Sequence, residues 1–279
     1  MKIGITGATG QLGALVVEQL KQKIDVGNLV ALVRSPEKVE GLEAKTFDYD
    51  KPAELAESLK NIDTLLLISG NEIGQRARQH ENVIKAAKEA GVKWIVYTSI
   101  LRADSTTISL AGEHLLTEKL LKESGIPFTL LRNGWYTENY TASIPGAVEA
   151  GAFIGSAGDG KISSASRADF AEAAAVVLTG NGHEGQVYEL AGDEAYTLKD
   201  LAAEISKQTG KDIPYQNLSE EEYSKALRGM GLPEVFADSI ASWDVSVSKG
   251  DLYAEDRTLS TLIGRPTTPL TEVVKAALG

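Results

Sequence analysis

Cysteine is absent from this 279-residue chain, which excludes disulfides, thiolate metal sites and a cysteine nucleophile, and makes a reducing cytoplasm the expected compartment. Histidine is scarce: His80, His114 and His183 stand too far apart in sequence for a local metal motif, so no metal is expected. No apolar run approaches the roughly 18 residues that would cross a bilayer. The first strand is expected almost at Met1, leaving no room for a signal peptide, and the chain reads as a soluble cytoplasmic protein. Positive charge is outnumbered, 28 Lys and Arg against 39 Asp and Glu, for a net charge of −11 and a pI near 4.9. Affinity for nucleic-acid backbones needs clustered cations, so nucleic acid is not an expected main partner; self-association into a homo-oligomer stays open. The chain contains neither repeats nor low-complexity tracts.

What is present begins at the first residues, MKIGITGATGQLG. A short apolar strand from Ile3 to Thr6 runs into Gly7, Gly10 and Gly13 and then into the amphipathic stretch LGALVVEQLKQK. That order suits a dinucleotide phosphate. Gly7 permits a tight turn off the strand, Gly10 lets backbone N–H groups approach the pyrophosphate, and Gly13 lets the helix pack close to the sheet. The helix start then faces the anion with unpaired donors and a positive dipole end.

The same rhythm continues. Apolar strands are expected at 28–34, 45–50, 64–70, 94–99 and 128–133, alternating with periodic helices at 53–61, 77–91 and 110–125, with Gly91 and Gly125 as left-handed helix ends. Near-continuous apolar strands between helices mean a parallel sheet covered on both faces: an α/β, Rossmann-type doubly wound sheet. Past Asn133 the rhythm changes. A helix with Asp169 as its expected N-cap and a strand at 186–192 precede a mostly helical remainder. The division expected is a nucleotide-binding domain over 1–134, to which 151–194 partly return, and a smaller substrate-side domain from 135–150 and 195–279. The run Glu220 to Glu222 follows Ser219 and reads as a helix start whose carboxylates favour the dipole.

Several constellations carry chemistry. Arg34 closes the second strand where NAD-preferring proteins usually carry an acidic residue for the ribose 2′-hydroxyl, so its guanidinium, with Lys38 nearby, points to the 2′-phosphate of NADPH. Asp48 and Tyr49 follow the third strand, where the adenine is bracketed or the chain merely turns in solvent. Ser69, Gly70 and Asn71 end the fourth strand at the carboxyl edge of the sheet, and Gln75 and Arg76 lie within reach of the nicotinamide half or its phosphates. Thr98 and Ser99 end the fifth strand where short-chain dehydrogenases carry a serine. Those enzymes continue with Tyr-x-x-x-Lys, whereas this chain has His114-x-x-x-Glu118, with Lys119 one residue out of register. Either catalysis needs no strong positioned acid, or His114 is the proton donor, or His114 is structural. In TLLRNGWYTENY, Asn133 and Tyr136 are candidates to meet negative charge on an acceptor, and the rings of Trp135 and Tyr136 suit a flat aromatic substrate or pack the two domains together. Trp94 and Trp243 are assigned to the core, and His80 to packing or capping.

The chain resembles the NmrA-like branch of atypical short-chain dehydrogenases, in particular its bacterial NAD(P)H quinone oxidoreductases, with triphenylmethane reductase as a neighbour. The resemblance spans essentially the whole chain and is carried by GITGATGQLG, LLLISGNEIGQRARQHENVIKAAKEAGVKWIVYTS, TLLRNGWYTENY, GDGKISSASRADFAEAAAVVL, VYELAGD and LIGRPTTPL. It implies that Gly7, Ala8, Thr9, Gly10, Gln11 and Leu12, with Arg34, bind NADPH, and that Gln75 and the residues Glu138, Asn139 and Tyr140 contribute at the nicotinamide end. It further implies a quinone as the small-molecule partner, taken in a cleft between the domains, with no flavin. Loss of Tyr-x-x-x-Lys is shared by that branch. A non-catalytic sensor of the dinucleotide is the competing expectation, and a dye or another flat acceptor is a third.

Overall fold

The computed structural model describes all 279 residues. Its nine strands are β1 (Ile3–Thr6), β2 (Leu29–Val33), β3 (Glu43–Thr46), β4 (Thr64–Leu67), β5 (Trp94–Ile100), β6 (Phe128–Asn133), β7 (Phe153–Gly155), β8 (Val187–Leu190) and β9 (Tyr215–Asn217). Seven of them form one parallel sheet in the order β3-β2-β1-β4-β5-β6-β8. The chain leaves β1 toward β2 on one side and later resumes with β4 on the other, so the strand order reverses beside β1. An open α/β sheet binds its ligand at such a switch point, outside the carboxyl ends of the strands.

The central strands are apolar on both faces because helices cover both. On one side α1 (Gln11–Lys21) and α7 (Arg167–Thr179) pack Val16, Leu20 and Phe170 onto Ile3, Ile5, Leu66 and Val96. On the other, α2 (Pro52–Ser58), α3 (Arg76–Ala90) and α4 (Ala111–Ser124) bring Leu55, Val83, Ile84 and Leu121 onto Val30, Leu65, Ile95 and Tyr97. Gly91 and Gly125 end α3 and α4 in the left-handed conformation, at φ +77° and +76°. The helix after the Gly-rich turns differs from expectation at its start: Ser166, not Asp169, is the N-cap. Its Oγ accepts the Asp169 N–H at 3.1 Å, while the fully buried Asp169 carboxylate is held by Arg265 and Thr268. The hydroxyl precedes the helix and its partner lies three residues on, as a cap requires.

A second core lies over the carboxyl end of β5. It is built from α5 (Glu138–Thr141), α6 (Ile144–Ala150), α8 (Leu198–Thr209), α9 (Glu220–Gly229), α10 (Glu234–Ser248), α12 (Leu270–Leu278) and the small β7–β9 sheet, and it includes Ile100, Ile108 and Ala111 from the β5–α4 connection. Within the expected partition, 151–194 return to the large sheet only in part, and one later segment crosses the boundary. Residues Phe153–Gly155 pair with β9 and so belong to the smaller unit. Conversely α11 (Thr258–Ile263) returns to the large sheet, burying Leu259 with α7 residues in the first core. Ser219 caps α9 in a reciprocal box with Glu222, which places the acidic run at a helix start.

Candidate functional site

At the end of β1 the chain turns at Gly7 with φ +59°, a conformation that a side chain opposes. The turn is closed by Gly7 N–H to Leu32 O at 3.0 Å and Gly10 N–H to Gly7 O at 2.8 Å. Gly10 then caps α1 without a side chain, and the amides of Gln11, Leu12 and Gly13 have no backbone acceptor. A Cβ on Gly13 would sit 2.2 Å from Gly7 O, so only glycine allows this approach of helix to turn. Gly7, Thr9, Gly10 and Gln11 are exposed around the free amides, whereas Ala8 and Leu12 point into the core and anchor the turn.

One strand away, Arg34 leaves β2 with its side chain 73% exposed, and Lys38 is exposed on the short 3₁₀ turn that follows. Glu72, from the loop after β4, approaches the Arg34 guanidinium at 3.9 Å. Asp48 accepts the Asp50 N–H in a local turn, and Tyr49 donates to Ile68 O with its ring edge-on to Phe47 and His80, so Tyr49 is a wall of this end and not a free platform. The strand ends are pinned laterally: Thr6 Oγ1 accepts the Ile68 N–H and Thr98 Oγ1 accepts the Ser69 N–H, both at 2.9 Å. Thr98, expected on the cofactor, is 2% exposed and fixes the position of Ser69 instead. Gly70 is held at both backbone groups. Its N–H donates to His80 Nε2 at 3.0 Å and its carbonyl accepts from Arg76 Nε at 2.8 Å. Accepting at Nε2 places the His80 proton on Nδ1, which faces Thr117 Oγ1 at 2.9 Å. Arg76, also expected on the cofactor, is 5% exposed and pairs with Glu113 at 3.0 Å; its guanidinium braces the β4 loop from beneath. Asn71 is exposed at that loop, and Gln75 is an exposed neighbour of Arg78 at the start of α3.

At the far end, the positions of the short-chain dehydrogenase residues are spent on structure. Ser99 donates to Glu118 at 2.6 Å, and Glu118 in turn binds Arg132, whose guanidinium also reaches Glu189 and Asp104. His114 is 5% exposed with Nδ1 2.7 Å from the Tyr97 hydroxyl. Burial, with the Arg76 charge nearby, holds its pKa well below the ordinary histidine value, which disfavours the charged imidazolium that a proton donor would need. Lys119 faces Glu123 on the surface.

Tyr140, Glu138 and Asn139, expected on the cofactor, are held by other protein groups, and Trp135 takes one of its two expected roles. Tyr140 is 8% exposed, and its hydroxyl is taken by Asp244 at 3.1 Å inside the second core. Glu138 accepts the Arg167 N–H and Asn139 Oδ1 accepts from the Arg167 guanidinium, so both anchor the start of α7. Trp135 is half-buried and packs edge-on against Trp243 at 5.6 Å, which is the domain-packing role. Trp94 is in the core as expected.

Asn133 and Tyr136 remain together at the carboxyl end of β6. Asn133 is 5% exposed, its Nδ2 lies 3.4 Å from the Tyr136 hydroxyl, and its Oδ1 is the one buried side-chain polar atom without a partner. Arg167 covers one face of the Tyr136 ring at 4.7 Å and Phe170 meets its edge, so the hydroxyl is the group this residue presents. Sequence reading missed Glu72 and Arg167. Glu72 carries only the signal of a carboxylate on the same sheet edge as Arg34, and Arg167 carries none.

From β2 to β6 is four strand spacings, roughly 19 Å. A glycine turn with three free amides lies between an exposed guanidinium at one end and a buried amide with an unpaired oxygen at the other. These residues fit an extended dinucleotide bearing a 2′-phosphate.

A family model described as NAD(P)H-binding matches residues 7–180. Quinone oxidoreductase 2 of Escherichia coli (strain K12) is 56% identical over 98% of this chain and 97% of that protein. Among solved structures, the NADPH complex of an NADPH-dependent quinone oxidoreductase from Escherichia coli superposes with a TM-score of 0.96 at 55% identity, covering 99% of this chain and 100% of that one. Triphenylmethane reductase of Citrobacter sp., complexed with NADP(H), follows at a TM-score of 0.95 and 38% identity, covering 99% and 100%.

Proposed function

This chain belongs to the NAD(P)H-binding family, and from that membership we propose that it is an NADPH-dependent quinone oxidoreductase acting in a reducing cytoplasm. The observation that carries the reading is the side-chain-free cap of α1, with three free amides over a glycine turn, on a chain so similar to a quinone reductase solved with NADPH. When bound, the reduced nicotinamide supplies the two electrons as a hydride equivalent, and the protein supplies position and a dry surround.

The residues of this chain divide that work. The amides of Gln11, Leu12 and Gly13 would hold the pyrophosphate, and Arg34 with Lys38 would hold the 2′-phosphate. Thr6, Thr98, His80 and Arg76 pin the loop after β4, so Ser69, Gly70 and Asn71 would present a fixed edge to the cofactor. At the acceptor end, burial raises the Tyr136 pKa and keeps the phenol protonated, ready to donate toward an oxygen that gains negative charge. Asn133 orients that hydroxyl, and Arg167 fixes the ring. A quinone oxygen needs no strong acid during reduction, and water completes its protonation, which accounts for a site whose Tyr-x-x-x-Lys positions are a buried imidazole and an ion-paired carboxylate.

Oxidation of NADPH followed at its near-ultraviolet absorbance, with a panel of benzoquinones and naphthoquinones, tests the reading. Turnover well above the buffer rate with at least one quinone is expected. NADPH binding without turnover on any acceptor would move the chain to the sensor class.

A further inference from the structure

Arg34 and Glu72 face each other across the adenosine end, 38 positions apart in sequence, and the mechanism uses only the arginine. As an exposed ion pair at 3.9 Å this contact contributes little to stability. Yet the Glu72 carboxylate does not hang free. Its Oε2 accepts from Gln79 Nε2 at 3.1 Å, and Gln79 is 3% exposed and tied through the same amide nitrogen to Asp50 Oδ2 at 3.0 Å. Asp50 is paired in turn with Arg78. The carboxylate is therefore kept beside the guanidinium by a buried amide on α3.

That placement has opposite consequences for the two nicotinamide cofactors. A phosphate oxygen bonded to Arg34 Nη1 at the usual ~2.8 Å lies within roughly 7 Å of Glu72 Oε1, close enough for like charges to repel at a protein surface. A ribose 2′-hydroxyl in the same place is a neutral donor, and a carboxylate is the acceptor that NAD-preferring folds use there. Here that carboxylate arrives from the loop after β4 instead of from the end of β2.

Resting on the NADPH reading above, we propose that Glu72 and Arg34 together read the ribose 2′ position: Arg34 takes the 2′-phosphate of NADPH, Glu72 takes the 2′-hydroxyl of NADH, and the pair makes the enzyme accept both coenzymes. Glu72 thus limits the preference that Arg34 creates.

Equilibrium titration of NADPH and NADH, read by nucleotide fluorescence with no acceptor present, tests this on the full chain. Glu72→Gln is expected to tighten NADPH and weaken NADH, raising the ratio of their dissociation constants about tenfold. Glu72→Asp, which withdraws the carboxylate by one methylene, is expected to fall between. Arg34→Ala is expected to weaken NADPH selectively, and 2′,5′-ADP is expected to follow NADPH in every variant. An unchanged ratio in Glu72→Gln, with wild-type NADPH affinity intact, overturns the assignment of Glu72 and leaves the cofactor reading standing. No binding of NADPH or 2′,5′-ADP to the wild-type protein overturns both.

Discussion

His114 and Glu118 occupy the helix positions at which a short-chain dehydrogenase carries its tyrosine and lysine, and neither is free to replace them. Desolvation takes His80 down to about 3 and His114 well below its usual range, so both rings are neutral at any pH the enzyme would meet. The dependence of kcat/KM on pH is therefore expected to show no inflection near the ordinary histidine value of about 6.5. His114→Gln should change kcat/KM little in the folded protein. Tyr136→Phe, which removes the hydroxyl proposed to donate to the acceptor, should lower it roughly tenfold to a hundredfold. A histidine-like inflection abolished by His114→Gln would restore His114 as the donor.

Among the elements, α1 has no alternative to glycine at its close approach. Gly13→Ala places a methyl 2.2 Å from Gly7 O and 2.9 Å from Ala8 Cα, against backbone that cannot rotate away. The helix must shift, and with it the free amides. The expected outcome is a loss of NADPH binding in fluorescence titration together with a lower melting temperature. Wild-type affinity in Gly13→Ala would show that the amides are not the phosphate site. The same elements show how much was legible beforehand. Strand β6 matches its expected limits because Phe128, Thr129, Leu130 and Leu131, all suited to a strand, lie between Pro127 and the polar end at Arg132 and Asn133. The expectation for β3 begins two residues late and ends four late, since Phe47 is buried like a strand residue although Asp48 already turns the chain. The cap of α7 was assigned to the carboxylate when the hydroxyl three residues earlier fills the role, because Ser166 and Asp169 suit a helix start equally and only the C-terminal return of Arg265 and Thr268 claims Asp169.

For the molecule as a whole, buried titratable groups set opposing pH dependences. The two depressed histidines bind protons only on unfolding, so stability falls as pH drops below about 6.5, by about 1.4 kcal/mol per pH unit for each. Asp244 acts in the other direction. Burial raises its pKa to about 6 from 3.8, although the Ser156 N–H and Tyr140 hydroxyl donate to it. Its folded form binds the proton that the unfolded chain releases, so stability is gained as pH falls through 6 toward 3.8. Between those limits one of the two histidine contributions is cancelled. Urea unfolding of Asp244→Asn is therefore expected to show a steeper acid loss than wild type, approaching twice the slope, and a relative gain at pH 8. Parallel pH dependences for the two proteins would refute the account of Asp244.

Sequence by itself determined the layered α/β fold, the glycine turn before the first helix and the choice of an arginine at the end of the second strand. These follow from local demands: apolar periodicity, positive φ and the placement of one charge beside its own strand. Tertiary structure alone decided which polar groups remain available. Tyr140 is claimed by Asp244 from 104 positions away, Arg132 by Glu189 from 57, and Glu138 by Arg167 from 29, while Asn133 keeps an unpaired oxygen. A buried polar side chain takes whichever partner the fold brings within reach, and that partner is set by contacts between distant segments.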